Sequence, residues 1–261
     1  MKQISMRILF LSMVFMLVFS GCSTELRLAK QFVSQRGAIK AAVYFPEEAQ
    51  VTLVQNEEGV YSQVLDSLDQ NAFLDIMYAA YAQEMGRYGV EVYVPEDADA
   101  VVTDSTHWMI LLSKMEIQGL FTNYVDQLFD LVDEYEFTFP LNTVNVASWF
   151  DISDGEWLPT QYYEYNLTEE FKSHVSFKGK EGPQYHYDIT PLKTEDLYDY
   201  SVFLAKQYAA FTHSCMMNRY VRQEMGKAGL EPRFKMRWNP VEETFYYQEE
   251  EEGFVELGNK E

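Results

Sequence analysis

Residues 67–95 read SLDQNAFLDIMYAAYAQEMGRYGVEVYVP, and their pattern decides the fold. Ser67 followed by Gln70 has the form of a capping box, in which two side chains reciprocally satisfy the free N–H groups of a helix start. Leu74, Met77, Tyr78, Tyr81 and Met85 then recur at helical spacing, and Gly86 and Gly89 close the helix. Val90, Val92 and Val94 alternate with Glu91 and Tyr93 up to Pro95, which predicts a strand. Upstream, Ile39, Ala41, Val43 and Phe45 alternate with Lys40, Ala42 and Tyr44 up to Pro46, with Gln50 to Val54 continuing as a second strand. A helix between two strands favours a parallel or mixed sheet with the helix over one face.

Downstream the strand signals multiply. Trp108 to Gln118 reads as a strand with Met109, Leu111, Met115 and Ile117 on one side and Ile110, Lys114, Glu116 and Gln118 on the other. Residues 120–135 fit either of two states: Phe121, Val125, Leu128 and Val132 have helical spacing, yet no Gly or Pro interrupts a long strand. Val144, Val146, Ser148, Phe150 and Ile152 alternate up to an Asp154-Gly155 turn, and a Tyr-rich strand from Leu158 to Leu167 completes a hairpin. A second hairpin joins Ser173–Lys178 to Gln184–Ile189. Thr194 is placed to cap the longest helix, which has a stripe of Leu197, Tyr200, Leu204, Tyr208, Phe211 and Cys215 and ends near Gly226. Arg233, Lys235 and Arg237 alternate with Phe234, Met236 and Trp238 in a strand with one basic face. The expectation is an α/β (α+β) domain: a mixed, mainly antiparallel sheet, a long C-terminal helix, and a second helix packed on one face.

The N-terminus carries an address. Lys2 and Arg7 precede an apolar run from Ile8 to Phe19 interrupted only by Ser12, and Ser20-Gly21 place two small residues before Cys22. The run is too short to span a bilayer as a helix, which needs about 20 apolar residues. Phe19-Ser20-Gly21-Cys22 resembles the lipobox of bacterial lipoproteins, although the family prefers leucine where Phe19 stands. The resemblance covers this segment alone. It implies cleavage before Cys22 and acylation of that residue, and hence an anchor in a membrane. The division expected is a signal peptide over 1–21, a membrane-proximal anchor segment over 22–38, a single α/β domain over 39–238 and an acidic, partly disordered tail over 239–261. Across residues 39–226 the element order looks like that of small α/β lipoproteins of the Gram-negative envelope, a likeness of topology that rests on no motif.

Without residues 1–21 the chain has 18 basic and 41 acidic residues, a net charge of −23. Such a chain repels phosphate backbones at long range, which argues against nucleic acid as a partner. Between Ser23 and Phe45, however, Glu25 is the only acid, beside Arg27, Lys30, Arg36 and Lys40. A basic stretch next to a lipid anchor suits anionic headgroups as well as it suits water. With Cys22 acylated, Cys215 is the one remaining thiol, and its helical context suggests a small core residue.

Chemistry is sparse. The sequence has no G-x-S-x-G, H-E-x-x-H, G-x-x-x-x-G-K, C-x-x-C or G-x-G-x-x-G motif, and none of His107, His174, His186 and His213 has a second His or Cys three or four residues on, so neither a metal nor a cofactor is expected. A turn centred on Glu181 would set His174 opposite Asp188. Asp151 to Glu156 resembles a calcium loop only faintly, and the acids at 126, 130, 133, 134 and 136 are a solvated face or a weak calcium site. Tyr163 and Tyr165 share one side of their strand, and Tyr185 and Tyr187 share one side of theirs. Exposed, these four would offer stacking surfaces to a glycan or protein; buried, they are core.

The leading expectation is a non-enzymatic cell-envelope lipoprotein, anchored by Cys22 in the outer membrane of a Gram-negative bacterium, that faces the periplasm or the surface and binds a protein or glycan. One alternative is a carboxylate-based hydrolase of envelope glycan or peptide, which needs no linear motif. The other is a self-associating structural lipoprotein, which an exposed flat strand at Arg233–Trp238 would favour.

Overall fold

The structure is a computed structural model that describes residues 24–56, 58–94, 106–129, 134–177, 182–247 and 254–256; for 126–129, 134–136 and 254–256 it describes the backbone alone. Cys22 and the signal segment lie outside the described residues. Among those described, no helix is long and apolar enough to cross a membrane.

A seven-stranded mixed sheet forms the body. Its strands are β1 (Ile39–Tyr44), β2 (Gln50–Leu53), β3 (Val90–Tyr93), β4 (His107–Phe129), β5 (Glu134–Ser153), β6 (Gln161–Thr168) and β11 (Phe254–Glu256), ordered β11-β6-β5-β4-β1-β3 with β2 also on β4. β1 pairs in parallel with β3 and β4, and β2 in parallel with β4. The pairs β4–β5, β5–β6 and β6–β11 are antiparallel. Two ribbons stand apart, β7 (Glu170–Phe177) with β8 (Pro183–Thr190) and β9 (Met236–Asn239) with β10 (Thr244–Tyr247). Residues 120–135, which fit either state, are strand on both flanks: β4 continues to Phe129 and β5 begins at Glu134.

Helices α1 (residues 24–34), α2 (Gln70–Arg87) and α3 (Thr194–Lys227) complete the fold, with α2 and α3 packed together on one face of the sheet. Trp108, Ile110, Leu112, Met115 and Ile117 of β4 and Val144, Val146, Phe150 and Ile152 of β5 belong to the core on this side. The switch from even to odd positions in β4 corrects the expected faces. A bulge at Ser113, between Leu112 and Lys114, inserts one residue and turns Met109 and Leu111 away from the helices. Buried tyrosine hydroxyls tie α3 to its neighbours, Tyr208 to Ser148 Oγ of β5 at 2.6 Å and Tyr81 of α2 to Thr212 Oγ1 at 2.8 Å.

The helix ends differ from expectation by a few residues. Asp69 caps α2, its Oδ1 accepting from the Asn71 and Ala72 N–H groups, while Ser67 bonds Thr194 Oγ1 at 2.6 Å. α3 starts after Lys193, whose N–H donates to Asp196 Oδ2. Beyond Lys227 it is closed off by Gly229, φ +69°, where the Gly229 and Leu230 N–H groups reach the Gly226 and Met225 carbonyls in a Schellman arrangement.

Two segments set apart from the domain are in contact with it. Leu28, Ala29, Phe32 and Val33 of α1 are core residues, so residues 24–34 pack on the body. Within the expected tail, β10 pairs with β9 and β11 pairs with β6.

The contacts of α3 give the body an axis. Its start meets Ser67, and the Tyr200 hydroxyl donates to the Tyr165 carbonyl opposite Val146 of β5. Tyr208 then reaches Ser148, and Arg219 reaches Asp154 and Glu156 in the turn after β5. Beyond its end, the Arg233 N–H donates to Glu25 Oε1 at the start of α1. Advancing along α3 therefore moves away from the β4–β5 tip and toward the first turn of α1.

Candidate functional site

The feature that the body does not absorb is an arm. β2 covers β4 only as far as Gly119, and β6 covers β5 only as far as Thr143. Glu169 still holds Asn142, and past that point the ladder that Leu120–Phe129 and Glu134–Leu141 form with each other continues as a two-stranded ribbon of about 30 Å at the usual strand rise. Isolated ribbons are marginal in water, and this one is backed by the β7–β8 hairpin. Tyr124 lies opposite Phe139, with Phe137 on the same side, and onto this side pack Phe171 and Tyr187. Phe171 is 4.3 Å from Tyr124 and 5.0 Å from Phe139, ring centre to ring centre, and Tyr187 is 4.6 Å from Phe139. Aromatic rings in tilted contact at such distances contribute about 0.5–1.5 kcal/mol per pair beyond their buried area.

The hairpin is two-sided. Phe171, Val175, Tyr185, Tyr187 and Ile189 alternate with Lys172, His174, Ser176, Gln184, His186 and Asp188. The cluster leaves apolar surface in water, since Tyr124, Val125, Phe137, Val175 and Ile189 are exposed and Phe177 is 78% exposed. Exposed aromatic and aliphatic side chains gathered on one ribbon and its backing hairpin are a departure from an ordinary polar surface.

The four tyrosines singled out from the sequence do not form one surface. Tyr163 is 4% exposed and lies beneath α3, its ring edge-on to Tyr208 at 5.4 Å, and burial raises its pKa. Tyr165 is 41% exposed but packs on Phe203 at 5.0 Å. Tyr187 belongs to the arm cluster, and Tyr185 is half-buried on the same hairpin face. The pairs therefore occupy different sheets, and the surface attributed to Tyr163 is core.

The other predicted constellations are also resolved. His174 faces His186, with rings stacked at 4.7 Å, and Asp188 faces Lys172. The observed register therefore differs by two residues from the expected pairing of His174 with Asp188. Asp151 accepts from Thr160 Oγ1, and Asp154 and Glu156 are held by Arg219, which pins the turn to α3 and explains those acids without calcium. The side chains at 126, 130, 133, 134 and 136 lie outside the described residues. Among the described residues no group of three or more His, Cys, Asp or Glu side chains is placed to hold a metal ion. Cys215 is half-buried against the core. At the start of β9, Asn218 of α3 pairs with the Met236 N–H and carbonyl as a strand would, at 2.9 and 2.8 Å.

A second surface lies on the sheet face that turns away from α2 and α3. Trp149 and Tyr162 are neighbours at 5.0 Å, and the Lys114 ammonium lies 4.5 Å above the Trp149 ring. Glu164 accepts from Asn145 Nδ2 on one oxygen and from the Tyr162 hydroxyl on the other. Partial burial, with the Glu164 carboxylate beside it, pushes the Tyr162 pKa up to about 12. Glu116 is paired with Lys114. Both carboxylates are thus occupied by neighbours.

Sequence reasoning missed Tyr124, Phe137, Phe139 and Phe171. The alternation Tyr135-Glu136-Phe137-Thr138-Phe139 was the signal available, and the helical spacing of Phe121, Val125 and Leu128 obscured it. No family model matches the chain, and no curated protein matches it.

Proposed function

We propose that the protein is a non-enzymatic cell-envelope lipoprotein, anchored through Cys22 in the outer membrane of a Gram-negative bacterium, that captures a protein partner on its aromatic arm. The observation that carries this is the arm itself. It offers exposed rings and aliphatic side chains together, and it projects from the end of the body opposite to the helix that follows Cys22. Mixed aromatic and aliphatic anchors suit a protein surface better than a sugar ring, which needs flat faces flanked by hydrogen-bonding groups. Those flanked faces occur on the open sheet side, where Trp149 and Tyr162 adjoin Glu164 and Asn145, and a glycan at that place is the second proposal.

The test is a photo-crosslinking residue placed in living cells at Phe137 or Phe177, with Tyr162 as comparison. A discrete protein adduct from the arm positions and none from Tyr162 is expected, and Val175→Ser should weaken it. An adduct between two copies of the chain would favour the self-associating alternative. If the arm yields no adduct while the Tyr162 position labels, the arm is not the binding element.

A further inference from the structure

The end of the molecule opposite the arm has its own chemistry. Cys22 precedes Glu25 by three residues, so the Cα of an acylated Cys22 is tethered within about 11 Å of the Glu25 Cα even if the link is fully extended. Glu25 is buried at the start of α1, and its Oε1 accepts from the Arg233 N–H. The loop from Leu230 to Lys235 therefore lies beside the point where the anchor leaves the fold. Leu230 is exposed, and Phe234, 48% exposed, stacks obliquely on exposed Tyr247 at 5.1 Å. Basic side chains ring these apolar groups. Arg233 and Lys235 flank Phe234, Arg27 and Lys30 are exposed on α1, and Lys227 ends α3, with Arg27 and Lys227 both near the Tyr220 hydroxyl. Among the described residues the acids at this end are Glu25, which is buried, Glu224, which pairs with Lys227, and Glu231, which is exposed; Glu249–Glu252, two residues after Tyr247, lie outside the described residues. In a chain of net charge −23 this end runs against the general charge.

We infer that this face, Leu230, Phe234 and Tyr247 within Arg27, Lys30, Lys227, Arg233 and Lys235, rests on an anionic lipid surface. It rests on the reading of Cys22 as the lipid anchor. Apolar side chains ringed by cations suit an interface in which rings reach the acyl boundary while ammonium and guanidinium groups meet phosphates. A short link leaves little freedom for any other face to lie against the bilayer. The docked face then holds the long axis upright and sends the arm outward.

The test uses the processed, acylated protein in vesicles of phosphatidylethanolamine and phosphatidylglycerol. In a Cys215→Ala background, a nitroxide is placed at Phe234→Cys, with Phe177→Cys as the comparison, and intact mass is measured on each sample. The expected result is acyl mass on both, loss of most collisions with a water-soluble relaxant at 234 with gain of collisions with a lipid-soluble one, and full water access at 177. The further change Arg233→Glu with Lys235→Glu should restore water access at 234. Acyl mass with equal water access at 234 and 177 would overturn the docked face while leaving the anchor intact. A label at 234 shielded from both relaxants would mean that a second copy covers the face, which also overturns it. Absence of acyl mass would overturn the anchor and the docking together.

Discussion

Lowering the pH should destabilise this protein through one histidine. His213 of α3 is 1% exposed, with its ring 4.6 Å from Tyr88, 5.6 Å from Phe32 and 5.7 Å from Trp238. Burial disfavours the imidazolium and lowers the pKa from 6.5 to about 3, whereas an unfolded chain titrates near the ordinary value. The unfolded state therefore binds more protons between those two values. The contribution of neutral His213 is fully present above about pH 6.5 and is lost progressively as pH falls toward about 3. At pH 5 the difference is about 1.5 pH units, or roughly 2 kcal/mol at 1.36 kcal/mol per unit. Urea unfolding at pH 7.5 and pH 5.0 of wild type beside His213→Phe isolates it, because the many carboxylates titrate alike in both chains. Wild type should lose about 2 kcal/mol more than the variant over this interval. Parallel losses would refute a neutral, desolvated imidazole at this place. Since Phe32 touches that ring, amide exchange in α1 should rise first as the pH falls.

Other substitutions test separate parts of the fold. Gly89 has φ +80°, and an added Cβ would collide with the Arg36 Cβ, whereas Gly59 has φ +79° and open space around it. Gly59→Ala should cost about 1 kcal/mol from backbone strain alone, and Gly89→Ala about 1–3 kcal/mol more, both read from urea midpoints. Asn218→Ala strips the two hydrogen bonds to Met236 and should cost about 2–3 kcal/mol, whereas Asn218→Gln should not recover them, because the longer side chain misses the register. Phe171→Ala should abolish exchange protection in the β7–β8 hairpin while leaving that of α2 and α3 unchanged, because its ring contacts lie wholly within the arm.

The mixed sheet, the two hairpins and the long helix were legible because each rests on local periodicity: alternation in β1, β3 and the second half of β5, and a continuous apolar stripe in α3. The missed parts depend on tertiary context. Ser67 and Gln70 satisfied the spacing of a capping box, but Asp69 stands closer to the free N–H groups and Ser67 is drawn to Thr194. The bulge at Ser113 has no mark in composition, and without it the inner face of β4 is assigned to the wrong residues. Helical spacing from Phe121 to Val132 was a coincidence of period, overridden by twenty rungs of pairing between β4 and β5. Tyr163 and Tyr165 share a strand side, as alternation requires, yet α3 covers one and leaves the other at its margin. No pattern within β6 could separate them. The segment after Cys22 reads as a solvated basic helix until Phe32 is seen against His213, a contact between residues 181 positions apart in the chain.

One corner of the body bears on how the chain finds its pairing. Gly37 follows α1 and Gly89 follows α2, both with positive φ, and the Gly37 N–H donates to the Gly89 carbonyl at 2.7 Å. Two residues after Gly37 and one after Gly89 come Ile39 and Val90, the first rung of the parallel β1–β3 ladder. Parallel strands usually pair late, because the loop between them must close before any rung rewards it. Here two helix exits clasp each other at the foot of the ladder, so their meeting delivers the strands already in register. Pairing can then propagate upward from Ile39 like a zip, and the rate of assembly would follow the meeting of two helices instead of a search between two extended chains.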